Sequence, residues 1–354
     1  MSRFKSQRLK NLTPYTPGEQ PKGSFYIKLN TNESPFPPPL KAEFYSFKAA
    51  EKLNLYPDPE CRELTEKLAE KFSVSYDEVL VTNGSDEILN FAFMAFCDKN
   101  HPAAFPDITY GFYPVFAKLN GVPYEEIPLD DNFNININDY LGINKTIFIA
   151  NPNAPTGIFL PREKIEKILI SNPDSVVVID EAYIDFGGES CIPLIHKYDN
   201  LLVTQTFSKS RSMAGARLGF GVGCKALIAD LNTIKYSTNP YNINKMTMAA
   251  GLGALESEDS IIRNCRIIME NRKYTMAELK KLGFKVTDSL ANFIFAKHPG
   301  FGGEEIYREL KNQGILVRHF KNPSSIADYV RISIGTKEQM DSLIDALKNI
   351  TEAR

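Results

Sequence analysis

Residues 204–220 read TQTFSKSRSMAGARLGF. An apolar approach from Leu201 ends at Ser208 and Lys209, and Gly215, Arg217, Gly219 and Gly221 follow. The run over 201–206 predicts a strand that delivers Lys209 at its carboxyl end. Ligands of open α/β sheets bind at such ends. A lysine amine at its ordinary pKa, about 10.4, is a poor nucleophile at neutral pH. Burial or a cationic neighbour lowers that value and lets the amine form a Schiff base with a carbonyl. Small residues let a flat, phosphorylated group approach the backbone, and an arginine fork suits a phosphate. Taken alone, the same stretch also reads as a surface loop, because the chain carries 41 lysines and arginines.

Working outward, SVVVIDEAYIDF predicts a strand over 176–179 that stops at Asp180. Consecutive β-branched residues fit a strand buried on both faces, as in a parallel sheet. A carboxylate there is costly without a cationic partner, so Asp180 is an ion-paired structural residue or a site residue. TIFIANPNAPTG predicts a strand over 147–150 and a polar turn holding Asn153. EVLVTNGSDEIL predicts a strand over 79–82, a turn at Gly84 and Ser85, and a long apolar helix. That grammar points backbone N–H groups and a helix dipole at one spot, an anion site; Ser85 or Asp86 also serves as a plain helix cap. Tyr110 follows a proline turn in PDITYGFYPVF. Strands alternating with helix-length segments argue for an α/β sheet, largely parallel.

Three regions are expected. Residues 1–45 form an N-terminal arm rich in proline, with an edge strand over 25–30 and the polar run from Asn30 to Glu33. Residues 46–255 form a large domain. Residues 256–354 form a small α+β domain that begins with a long amphipathic helix over 261–284. Arg331 lies inside the apolar run YVRISI, where a buried guanidinium requires an anion or an internal salt bridge.

The totals exclude several classes. A net charge of -2 leaves no footprint for nucleic acid or acidic lipid. No run of about 20 apolar residues is available to span a membrane, and the basic first residues lack the apolar core of a signal peptide. Five scattered cysteines suit free thiols in a reducing, cytoplasmic setting. The four histidines show no ligand spacing, so no metal is expected.

Together the chain offers phosphate grammar at Gly84 and Ser85, a stacking face at Tyr110, an amide at Asn153 and an acid at Asp180. It adds a phenol at Tyr183, an amine at Lys209 and a fork at Arg217. Pyridoxal 5'-phosphate needs this set: a lysine for its aldehyde, an acid for its ring nitrogen, donors for its ring oxygen and an anion site for its phosphate.

With TPYTPG, LNTNESP, YPDPE, TNGSDE, TYGFY, NPNAPTG, DEAYIDF, TFSKSRSMAGARLGF, ANFIF, GILVR and YVRISIGT in place, nearly the whole chain resembles fold-type I pyridoxal phosphate enzymes of the class I/II aminotransferase superfamily. The resemblance implies an α/β fold with a mostly parallel seven-stranded sheet. It implies that Lys209 carries the cofactor and shuttles a proton, that Asp180 holds the protonated ring nitrogen and that Tyr183 meets the ring oxygen. Tyr110 would stack on the ring. Gly84, Ser85, Thr206, Ser208 and Arg217 would bind the cofactor phosphate, and Asp86 would be a further cofactor contact. Tyr56 would reach the cofactor of the neighbouring subunit, which implies a homodimer. The superfamily usually carries Asn directly before Pro-Thr-Gly, where this chain has Ala154, so Asn153 is the nearest amide. Arg331 would bind the substrate carboxylate and Arg318 the phosphate of the substrate side chain, with Tyr15, Asn32 and Asn153 lining the same pocket.

The implied reaction is transamination between L-histidinol phosphate and 2-oxoglutarate, with glutamate as the reverse donor, in histidine biosynthesis. The rivals are an aromatic amino acid aminotransferase, a threonine-phosphate decarboxylase and a cofactor-binding regulator without turnover. Relatives of the decarboxylase carry His-Gly-Gly where this chain has Tyr15-Thr16-Pro17-Gly18, and a regulator would need a basic DNA-binding segment ahead of the fold.

Overall fold

The computed structural model describes residues 2–10, 12–20 and 26–352. Strand β1 (Ile27–Lys28) is followed by helices α1 (Leu40–Ala50) and α2 (Arg62–Phe72). Next come β2 (Val79–Thr82), α3 (Ser85–Phe96), β3 (Ala103–Pro106), α4 (Tyr113–Asn120) and β4 (Tyr124–Ile127). β5 (Thr146–Ala150), α5 (Arg162–Ser171), β6 (Val177–Asp180), β7 (Leu201–Thr206) and β8 (Gly219–Gly223) complete the main sheet. Helices α6 (Lys225–Thr238) and α7 (Lys245–Leu255) then lead to the long α8 (Glu258–Lys281).

The main sheet has seven strands in the order β2-β8-β7-β6-β5-β3-β4. β8 runs antiparallel to both its neighbours, and the remaining pairs are parallel. Every residue of β5, β6 and β7 is buried, as their β-branched runs require of strands covered on both faces. One face packs with α3, α4 and α6 around Phe93, Phe148 and Val178. The other packs with α2, α5 and α7 around Leu68, Ile149, Val203 and Ala254. Removing each of these leucine, isoleucine, valine and phenylalanine side chains from water stabilises the fold by about 1.5–3 kcal/mol.

The C-terminal layer holds β9 (Lys285–Val286), β10 (Phe293–Lys297), α9 (Gly303–Asn312), β11 (Ile315–Leu316), β12 (Arg318–His319), β13 (Val330–Ser333) and α10 (Lys337–Glu352). Its four-stranded antiparallel sheet runs β12-β13-β10-β9, and α8, α9 and α10 cover it through Leu279, Leu310 and Leu343. The edge strand expected over 25–30 is shorter: β1 pairs in parallel with β11, Ile27 opposite Ile315 and Lys28 opposite Leu316. Phe25 lies outside the described residues. Leu29 continues the union, its carbonyl accepting from Ser333 N at 2.9 Å. The arm is therefore stitched to the C-terminal layer. Among the described residues no helix is long and apolar enough to cross a membrane, and all five cysteines are free.

Candidate functional site

Parallel register sets Ala150, Asp180 and Thr204 side by side at the carboxyl ends of β5, β6 and β7. A cavity of about 370 Å³ opens there. Asp180, Tyr183, Thr206, Ser208 and Lys209 line it from the main sheet, with Tyr15 and Asn32 from the arm and Arg318 and Arg331 from the C-terminal strands. A second cavity of about 350 Å³ shares Tyr15, Tyr110, Ala154, Arg318 and Arg331 and extends toward Ile108 and Phe320.

Lys209 follows β7 and points its amine across the cleft to the Thr31 carbonyl, 3.3 Å away. The Nζ stands 5.7 Å from the centre of the Tyr183 ring. Burial, and then the nearby Arg331 charge, push its pKa down to about 8. Asp180 is 4% exposed. It accepts from Ala182 N at 3.2 Å and from Tyr113 OH at 3.4 Å, both neutral donors. Burial, then Asp86, push its pKa up to about 7. Both groups lack the charged partner that would restore their ordinary titration.

The anion corner lies at the start of α3. Gly84 caps that helix with φ 78°, in the left-handed region. Gly219 packs against the same turn so closely that a Cβ there would lie 2.4 Å from Ser85 N. Thr206 Oγ1 lies 2.9 Å from Ser208 Oγ and accepts from Ser208 N at 3.1 Å, which ties the two hydroxyls together. Asp86 spans two neighbours: Tyr110 OH donates to it at 2.7 Å and Arg217 Nη2 at 3.1 Å. The phosphate candidates and the ring-stacking candidate thus share one carboxylate.

On the opposite wall, Arg318 donates to the carbonyls of Thr16 and Pro17 at 2.9 and 3.1 Å. Arg331 donates to Asn30 O at 3.1 Å, yet its Nε is buried with no partner. Such an orphaned donor is a standing demand for an anion. Tyr15 stacks on Phe112, ring centres 4.2 Å apart, beside Tyr110. Asn32 is buried and donates to Tyr183 OH at 3.0 Å.

Two of the expected site residues stand apart. Asn153 does not line the main cavity. Its amide donates to Ile108 O at 2.9 Å and to Thr156 Oγ1 at 3.1 Å, and it accepts from Thr109 at 2.8 Å, so it holds its own turn together. Ala154 lines the cavity instead. Tyr56 is 80% exposed and stacked on Tyr241, away from the cleft. In turn, the structure brings in residues to which the sequence assigned no place in the site: Thr31 beneath Lys209, Tyr113 behind Asp180, and Ser333 and Asn292 around Asn32. Tyr113 had a signal, since the three-residue spacing in TYGFY puts two phenols on one side of a helical turn.

Comparison with known proteins matches residues 25–347 to the family Aminotransferase class I and II. The chain is 47% identical to a histidinol-phosphate aminotransferase of Brachyspira hyodysenteriae over 352 residues, 99% of each chain. It is similar to the crystal structure of the histidinol-phosphate aminotransferase from Clostridium acetobutylicum, with a TM-score of 0.85 at 26% identity over 93% of this chain and all of that one. It also shares the fold of the Sinorhizobium meliloti histidinol-phosphate aminotransferase, solved in complex with pyridoxal 5'-phosphate, with a TM-score of 0.84 at 22% identity over 92% and 91% of the two chains. A match of this length, joined to near half-identity from end to end, makes the chain a member of the aminotransferase class I and II family.

Proposed function

We propose that this chain transfers an amino group between L-histidinol phosphate and 2-oxoglutarate with pyridoxal 5'-phosphate held in the cleft between the main sheet and the C-terminal layer. The donor set fits that cofactor. A depressed lysine, a buried acid without a cation and a hydroxyl-lined helix start with Arg217 are the complements of its aldehyde, ring nitrogen and phosphate. Lys209 would anchor it, Asp180 and Tyr183 would meet its ring, and Gly84, Ser85, Thr206, Ser208 and Arg217 would surround its phosphate, with Asp86 holding Tyr110 and Arg217 in place. The chemistry supplied by the bound cofactor is that of an aldehyde that captures amines and a protonated ring that takes up the electrons of a broken Cα–H bond.

The protein's own contribution is placement and proton handling. With a pKa of about 8, Lys209 Nζ is near enough to neutrality to remove the proton from the substrate Cα and hold it for return. Asp180 would give up its proton and supply the negative charge once a ring cation sits beside it, and Tyr113 donates to it from behind. Histidinol phosphate has no carboxylate and glutamate has two, so one arginine pair must serve a phosphate in one half-reaction and carboxylates in the other. Arg331 and Arg318 suit both as planar forks. The side chain would extend into the adjoining cavity beside Tyr15 and Phe320.

A homodimer belongs to the same reading. Phe44, Phe47, Leu53, Leu55 and Tyr56 are all more than half exposed on α1 and the turn after it, an apolar patch suited to a second copy. Tyr56 would then reach the neighbouring subunit's cofactor.

The observation that carries the reading is Arg331, with its Nε buried and unpartnered beside Lys209 in the same cavity. Single-turnover spectra of the cofactor-loaded protein test it. Histidinol phosphate should convert the bound cofactor to its amino form faster than phenylalanine does, and threonine phosphate should show no decarboxylation. Preference for phenylalanine would assign the aromatic rival, and release of carbon dioxide the decarboxylase.

A further inference from the structure

We propose that Asn32 is a positioning residue that fixes Tyr183 as a hydrogen-bond donor toward the cofactor ring oxygen. The inference rests on the function proposed above.

Asn32 is 1% exposed and has a left-handed backbone, φ 55°. All four of its polar groups are engaged. Its N–H donates to Ser333 Oγ at 2.8 Å, and its carbonyl accepts from Asn292 Nδ2 at 3.0 Å. Its Oδ1 accepts from Ser333 Oγ at 3.1 Å, and its Nδ2 donates to Tyr183 OH at 3.0 Å.

These contacts leave each group one role. The Ser333 hydroxyl receives the Asn32 N–H, so its own hydrogen goes to Asn32 Oδ1. That sets the amide oxygen at Ser333 and the NH₂ at Tyr183. The Tyr183 oxygen accepts from that NH₂, so its single hydrogen is left for the cavity it lines. An amide cannot take that hydrogen through a nitrogen that is already donating.

The arrangement matters because of what else lines the cavity. Ala154 lines the cavity and offers no donor, and the Asn153 amide is held by Ile108, Thr109 and Thr156. With Ala154 donorless and Asn153 engaged in its own turn, the phenol hydrogen is the donor left among these three side chains. A donor there stabilises the anionic ring oxygen and lowers the pH at which the lysine-bound cofactor loses its proton.

The test is a spectral pH titration of the cofactor-loaded protein, with a thermal melt as the folding control. In Asn32→Asp the new carboxylate accepts the Tyr183 hydrogen and withdraws it from the cavity. The midpoint of the visible band should rise by about one pH unit or more. The same change in a Tyr183→Phe background measures the carboxylate's direct charge, and should give less than half that rise. Equal rises in both backgrounds, or none in the single variant, overturn the proposal. If Asn32→Asp does not load, Ser333→Ala serves instead: freeing the amide to flip should raise the midpoint when Tyr183 is present and leave it unchanged in the Tyr183→Phe background, which has no hydroxyl to redirect. An unmodified protein that gains no visible band with pyridoxal phosphate overturns the functional reading itself, and this inference with it.

Discussion

Asp180 ends β6 and Lys209 follows the adjacent parallel β7; both face one cavity, yet they form no ion pair with each other. Each is held off its ordinary titration by burial. In the cofactor-free protein Asp180 retains its proton up to about 7, against 3.8 ordinarily. Between those values the folded state binds the extra proton, so stability falls as pH rises through the window, and the penalty is complete above about 7. Asp180→Asn should therefore melt higher than the unmodified chain above that pH, and the difference should vanish below the ordinary carboxylate range. With pyridoxal phosphate added the order should reverse. Melts of both proteins with and without cofactor check this; a lower melting point for cofactor-free Asp180→Asn at alkaline pH would refute it.

Lys209 carries the opposite dependence. Its charged form is disfavoured in the fold, so the cost is present below about 8 and is relieved as pH rises toward 10.5. Lys209→Met should stabilise the cofactor-free protein at neutral pH while reducing turnover by at least about 10³-fold, the scale of a lost general acid–base group. Turnover within tenfold of the unmodified enzyme would show that the amine is misassigned.

Arg331 has one backbone partner and one orphaned nitrogen. Arg331→Ala should lower kcat/KM by about 10²- to 10³-fold in both half-reactions, as expected for a lost charged pair worth 2–5 kcal/mol. Arg331→Lys should not restore it, because a point charge cannot reproduce the fork. Steady-state kinetics with glutamate decide the matter, and unchanged constants would make the arginine structural.

Gly219 faces the backbone of Gly84 and Ser85, with room for no side chain. Gly219→Ala should push the start of α3 away and destabilise the fold by about 1–3 kcal/mol, as overpacking does. Cofactor affinity should fall by tenfold or more, read by fluorescence titration. Wild-type affinity in a folded variant would place the phosphate elsewhere.

The apolar patch on α1 makes a separate claim. Phe47, 70% exposed, should lose self-association when changed to Glu, and sedimentation would show single chains with weakened cofactor binding. A monomeric unmodified protein would remove Tyr56 from the site.

Four strands of the main sheet, β2, β5, β6 and β7, were legible because they are short, largely β-branched apolar runs that end near polar residues; β3 (AAFP), β4 (YEEI) and β8 (GFGVG) carry at most one β-branched residue each and were not. Lys209, Asp180 and Arg331 were legible for a related reason: charged groups at the ends of, or inside, apolar strands demand an explanation. Asn153 was not, since a sequence shows an amide without showing where it points, and this one closes its own turn. Asn32 was visible as a polar residue, but its grip on Tyr183 depends on Ser333 and Asn292, from the far end of the chain. The shortened arm strand had the same obstacle: β1 has no local partner, and its length is set by β11.

That pairing bears on how the molecule is made. Synthesis runs from the first residue to the last, so the segment carrying Tyr15 and Asn32 leaves the ribosome long before Ile315, Arg331 and Ser333 exist. The main sheet has all its strands by Gly223 and is free to assemble early. The cleft stays open on one side until the final strands arrive and capture the waiting arm. A nascent chain stalled before Ile315 should therefore carry Lys209 but not the wall of the cleft that holds Arg318 and Arg331.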